Sequence, residues 1–204
     1  MRGNRVPLLL TALTAGCASY RMTIEPPPTA LPTREASQRV PLSITVKSTY
    51  APYVDGDLST TDLYPRDRRL GQEDLGRYRE ALLATQQFVE VTAGDPGPGL
   101  HCALTVVSGR EPARDGRRAL SLLTFGQLSH EQREIVRLEV VVSRPGREPS
   151  TYRLEGRITT DAGDFATSRT RRSHSQCGPE GELARALVSR MVTDGWLDAA
   201  GSRP

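Results

Sequence analysis

Three histidines, three cysteines and a few grouped acids are the side chains here whose chemistry could go beyond packing. His101, His130 and His174 stand apart, and none has a metal-ligand spacing to another histidine or cysteine. His174 and Cys177 are three apart, but two donors do not make a site, so no metal and no cofactor is expected. Neither a G-x-S-x-G serine elbow nor a G-x-x-x-x-G-K-[ST] phosphate loop occurs. Cys102 falls on the apolar side of an alternating run, where a buried thiol is inert. Asp55, Asp57 and Asp62 share a loop but are spaced too widely for a calcium loop. The expectation is a protein without catalysis, whose chemistry is recognition. Two stretches suit that. Arg169, Arg171 and Arg172 form the one tight basic cluster, and a guanidinium fork donates two parallel hydrogen bonds to phosphate or carboxylate. Leu120, Leu122, Leu123, Phe125 and Leu128 lie in an apolar segment that fits neither helical nor strand period. It reads either as a loop packed over the core or as an exposed tip that meets a membrane or a partner.

Charge excludes one class of partner. The net charge of +3 is 27 basic minus 24 acidic residues, with the basic ones scattered among acids. That is not a nucleic-acid footprint. Lys47 is the only lysine, so the high isoelectric point reflects arginine.

The beginning of the chain is its most informative stretch. Arg2 and Arg5 supply a basic start, Val6 to Leu13 is a brief apolar run, and Thr14-Ala15-Gly16 puts small residues before Cys17. That order is the layout of a secretory signal peptide, and the run is far shorter than the roughly 20 residues a bilayer crossing needs. Ending on Ala-Gly-Cys, it resembles the lipobox of bacterial lipoproteins, with Thr14 where that family usually has leucine. The resemblance implies cleavage after residue 16, acylation of Cys17 and anchoring in a bacterial cell envelope by stable multiple acyl chains. By the same resemblance, Ala18 directs the protein to the outer membrane, facing the periplasm. Cys102 and Cys177 then remain in an oxidising compartment, either bridged or as two separate thiols.

Three regions are expected: a leader over 1–16, a tether over 17–39, and a single domain over 40–199. Pro26, Pro27, Pro28 and Pro32 make the second an extended, semi-rigid spacer. Val40, Leu42, Ile44 and Val46 alternate with polar residues as a half-buried strand, followed by a long polar loop to Gly71 carrying Tyr50, Tyr53 and Tyr64. Those tyrosines read equally as contact points or as rings tucked over the sheet edge. Leu75, Tyr78, Leu82 and Val89 give a helical stripe from Gln72, with Glu73 and Asp74 in its first turn and a short strand after Gln87. Leu100, Cys102, Leu104 and Val106 form the next strand, with His101 turned to solvent. Val136 to Ser143 and Tyr152 to Thr159 flank Pro145-Gly146 as an antiparallel hairpin. A last helix starts at Pro179 and ends at Gly195, after which Trp196 and Leu197 fold back on the core. The sum is an α+β two-layer sandwich: a mainly antiparallel sheet of four to five strands with two helices on one face.

Lipobox, proline-rich stretch and element order together resemble the lipopolysaccharide-assembly lipoprotein family, and the segment Leu120 to Gly126 is similar to one in uncharacterised periplasmic lipoproteins. The resemblance implies a non-catalytic interaction or assembly component that docks to an envelope protein complex. The alternative is a periplasmic binding module for an amphipathic ligand such as lipopolysaccharide or another glycolipid.

Overall fold

The computed structural model describes residues 19–112, 130–162 and 179–198. Among the described residues, nine strands run in chain order: β1 (Ser19–Glu25), β2 (Val40–Tyr50), β3 (Tyr53–Val54), β4 (Asp57–Leu58), β5 (Tyr64–Pro65), β6 (Phe88–Ala93), β7 (Leu100–Arg110), β8 (His130–Arg144) and β9 (Arg147–Ala162). Helix α1 spans Arg68–Ala84 and helix α2 spans Pro179–Thr193. Seven strands form one sheet in the order β1-β9-β8-β7-β2-β5, with β6 also on β2, and β3-β4 is a separate small hairpin. The α+β class with two helices stands, but the sheet is larger than the four to five strands expected.

The extra strands are β1 and β5, and the architecture departs from expectation in two ways. First, residues 19–25 are an edge strand paired antiparallel with β9, Ser19 opposite Asp161 and Glu25 opposite Glu155. Residues 26–39 are likewise no free spacer. The Thr29 amide donates to Ser189 Oγ at 3.1 Å, Gln87 Nε2 donates to the Pro32 carbonyl at 2.7 Å, and Arg34 donates to the Leu197 carbonyl at 2.9 Å. Prolines that fix an extended backbone and lack an N–H suit a strap lying across side chains as well as they suit a tether. The folded unit therefore begins by Ser19, well before Val40. Second, β2 runs parallel to both of its long neighbours, pairing with β6 from Val40 to Ile44 and with β7 from Leu42 to Tyr50. Only β7-β8, β8-β9, β1-β9 and the short β2-β5 contact are antiparallel within this sheet. Helix α1 is the crossover that returns the chain to run parallel to β2.

Local chemistry sets the ends of the elements. Asp67 caps α1, its carboxylate accepting from the Arg69 amide at 3.0 Å, which starts the helix a turn earlier than the stripe from Gln72 implied. Gln86, at φ 58°, ends it in the left-handed conformation. Gly195, at φ 69°, does the same for α2, with the Trp196 amide donating back to the Met191 carbonyl at 2.8 Å.

One face of the sheet is covered by both helices. Leu42 and Ile44 of β2, Leu104 of β7, Val140 of β8 and Leu154 of β9 meet Tyr78 and Leu82 of α1 and Leu183, Leu187 and Met191 of α2. Trp196 and Leu197 turn back into this core and are 0% and 1% exposed. The opposite face carries crossed charges: Arg137 bonds Glu155 at 2.9 Å and Arg153 bonds Glu139 at 2.9 Å.

Candidate functional site

Of the lipidation, disulfide, partner-contact and anion-contact candidates named in the sequence, the described residues include Cys102 alone. It is a free thiol, 0% exposed, and burial pushes it up to about 12, so it is inert as a nucleophile at neutral pH. Its expected companion Cys177 lies outside the described residues. So do Cys17, the Leu120, Leu122, Leu123, Phe125 and Leu128 set, and the Arg169, Arg171 and Arg172 cluster.

His101 is placed differently from expectation. It is 3% exposed, with Ser43 Oγ 2.9 Å from Nδ1. The chain passes from one side of β2 to the other between β6 and β7, bringing Asp95 near the ring. Burial lowers its pKa against an opposing pull from Asp95. Strand alternation gives the face but cannot show that Ser43 and Thr45 of β2 close on the two ring nitrogens.

The described residues enclose a cleft of about 200 Å³ where β2 and β7 end, lined by Tyr50, Arg66, Ser108, Gly109, Arg110 and Glu134. Arg66 organises it. The guanidinium bonds Asp74, itself only 5% exposed, at 3.2 Å and donates to Ser108 Oγ, while its amide bonds the Ser48 carbonyl at 3.2 Å. Arg110 and Glu134 pair across the rim at 3.9 Å. Each guanidinium faces a carboxylate, and the Ser108 hydroxyl has a cation beside it rather than a base. That arrangement positions chain segments. It does not activate a nucleophile.

Beside the cleft, the loop between β2 and α1 divides in two. The β3-β4 hairpin folds onto the open face, where Ala51 and Leu58 bury Ile135 with Tyr53 and Val107 alongside. Asp57 holds it there through Arg137, at 2.5 and 2.7 Å, and that guanidinium keeps the Asp57 carboxyl below the usual carboxylate range. Tyr53 thus tucks inward. Tyr50 and Tyr64 do not, and are 41% and 58% exposed. Leu63, next to Tyr64 in the chain, and Leu70, in the first turn of α1, are 43% and 45% exposed, and neither belongs to a periodic apolar pattern in the sequence.

Among the described residues, no three histidine, cysteine or acidic side chains are grouped to hold a metal ion, and no helix is long and apolar enough to cross a membrane. No protein-family model matches the chain, and no curated protein matches its sequence. Solved structures similar to it include a PelC dodecamer from Paraburkholderia phytofirmans, 12% identical with a TM-score of 0.31, covering 90% of this chain and 100% of that one. A rare lipoprotein B from Shewanella oneidensis is 16% identical at a TM-score of 0.33, covering 76% and 92%. A minor lipoprotein from Acinetobacter baumannii is 16% identical at 0.35, covering 80% and 96%. At those values the likeness carries no argument about what this chain does.

Proposed function

We propose that this chain is a bacterial envelope lipoprotein, acylated on Cys17 after loss of residues 1–16, whose folded module binds rather than catalyses. The observation that carries the reading is the order basic, apolar, small, Cys17, with the first strand of the domain starting at Ser19. An acyl-bearing residue there anchors the sheet itself. The paired guanidiniums of the cleft and the inert Cys102 thiol support binding over catalysis. The outer membrane, with the domain facing the periplasm, is the location that Ala18 favours by its resemblance to sorted lipoproteins.

Mass spectrometry of the mature protein, isolated from a bacterial envelope, tests this directly. The expected product begins at residue 17 and carries acyl mass, and Cys17→Ser should leave the leader uncleaved or release the protein from membranes. An unmodified thiol at residue 17 ends the proposal. The kind of partner is tested by two further variants. Deleting residues 120–128 should abolish co-purification of an envelope protein complex. Under the alternative, a glycolipid ligand, changing Arg169, Arg171 and Arg172 to Ala should abolish binding and deleting residues 120–128 should leave it intact.

A further inference from the structure

We infer that the end of the sheet where β1 starts and β2 and β7 finish is seated on a lipid bilayer through Tyr50, Leu63, Tyr64 and Leu70. The inference rests on the acylation proposed above. Cys17 precedes Ser19 by two residues, which span at most about 7 Å even when fully extended. With no slack in the chain, an acyl group on Cys17 fixes which end of the domain meets the membrane.

The register says what else is at that end. Ser19 faces Asp161 of β9, which faces Glu131 at the start of β8. Glu134 of β8 faces Arg110 at the finish of β7, and Ser108 of β7 faces Tyr50 at the finish of β2. Tyr50 pairs with Tyr64 of β5, and α1 begins three residues beyond Pro65. Seven large hydrophobic side chains are exposed among the described residues. Tyr50, Leu63, Tyr64 and Leu70 are at this end, and Val54 is in the hairpin packed beside it, leaving only Val89 and Val141 elsewhere. So uneven a distribution marks a contact surface. Its chemistry is that of a bilayer interface, where tyrosine rings sit with the apolar body inward and the hydroxyl among headgroups. Residues 50–70 carry Asp55, Asp57, Asp62 and Asp67 against Arg66, Arg68 and Arg69, close to balance. Contact is therefore by rings and aliphatic groups, and needs no anionic lipid. The end is also oblique. Tyr50 is level with Ile24, so Ser19 projects five residues, or about 16 Å, further along the strands. The strands must lean from the bilayer normal for both edges to touch.

The test uses the mature acylated protein carrying Cys177→Ser, with a nitroxide label placed through Leu63→Cys, Tyr64→Cys or Gly97→Cys. Gly97 lies in the turn between β6 and β7, with open space where its Cβ would be, and on the half of the sheet away from Tyr50. In vesicles of phosphatidylcholine alone, labels at 63 and 64 should lose collisions with a water-soluble nickel chelate severalfold and gain them with oxygen. The label at 97 should stay as chelate-accessible as in buffer. If residue 17 carries its acyl mass and labels at 63 and 64 remain as accessible as 97, the seating is wrong while the anchor stands. Shielding seen only in native envelopes, never in protein-free vesicles, also overturns it and assigns the surface to a protein. An unmodified residue 17 removes anchor and seating together.

Discussion

Arg147 lies over the indole of Trp196, its guanidinium carbon 3.8 Å from the ring centroid. The same side chain donates to the Gly195 carbonyl at 2.9 Å and the Asp194 carbonyl at 2.6 Å. Tyr152 adds a hydrogen bond to Asp194 Oδ2 at 2.6 Å. The start of β9 thereby fastens the turn that follows α2, satisfying the Asp194 and Gly195 carbonyls just beyond the helix. Arg147→Ala should cost about 1–3 kcal/mol, from the lost cation–π contact and the charged hydrogen bonds together. Arg147→Lys should recover only part, because an ammonium cannot stack flat and donate twice in one plane. Trp196 is the only tryptophan, so urea unfolding followed by its emission reads the effect. No loss in Arg147→Ala would show that the turn after α2 holds itself.

Two buried glycines make opposite demands. A methyl at Gly109 would overlap the Ala51 carbonyl oxygen and the Leu58 side chain, whereas one at Gly156 meets chiefly the flexible end of Met22. Gly109→Ala should therefore destabilise by about 2 kcal/mol or more and loosen the β3-β4 hairpin, since a backbone oxygen cannot step aside. Gly156→Ala should cost less than about 1 kcal/mol. Chemical denaturation of both variants checks the order, and equal losses would contradict it.

Cys102 should react with a thiol reagent only as fast as the molecule unfolds. Burial at 0% exposure denies access, and a thiol pushed up to about 12 is almost wholly protonated at neutral pH. Labelling in buffer and in urea, read by mass, should differ by orders of magnitude. Rapid modification of the native protein would place residue 102 nearer the surface than the core.

His101 should make the fold less stable in mild acid. Its pKa is lowered in the folded state by burial, so the neutral ring is the form the native molecule keeps. The unfolded chain protonates first, near the ordinary histidine value of about 6.5. Stability is then full above that pH, falls as pH drops below it, and levels off under the folded-state pKa. A urea midpoint measured from pH 8 to pH 5, range chosen to bracket about 6.5, should decline in the wild type and less in His101→Gln. A midpoint rising towards pH 5 would mean the Asp95 pull outweighs burial.

Elements with a strong period were legible in the sequence, and their partners were not. Val40, Leu42 and Ile44 announce β2, and Pro145-Gly146 announces the turn between β8 and β9, because alternation and turn chemistry are local. Nothing local tells β2 that its neighbours run parallel to it. Among its described side chains, the strand Ser19 to Glu25 holds Met22 and Ile24 on its inward side, and three prolines follow it, so pairing with β9 sets its strand character more than its own residues do. Val89 extends the helical stripe on paper but lies in β6, 58% exposed, since α1 has already ended at Gln86. The cleft was invisible for the same reason as the sheet order. Arg66, Asp74 and Ser108 meet only once α1 and β7 are in place.

The pairing of Ser19 with Asp161 has a consequence in time as well as in space. Strand β1 precedes β9, its one sheet neighbour among the described residues, by well over a hundred residues, so the pair closes across a long loop that slows the encounter. Until then the edge of β9 and the N-terminal segment both stay open. Ser19, two residues from the proposed acyl site, would thus belong to one of the late sheet pairings to close.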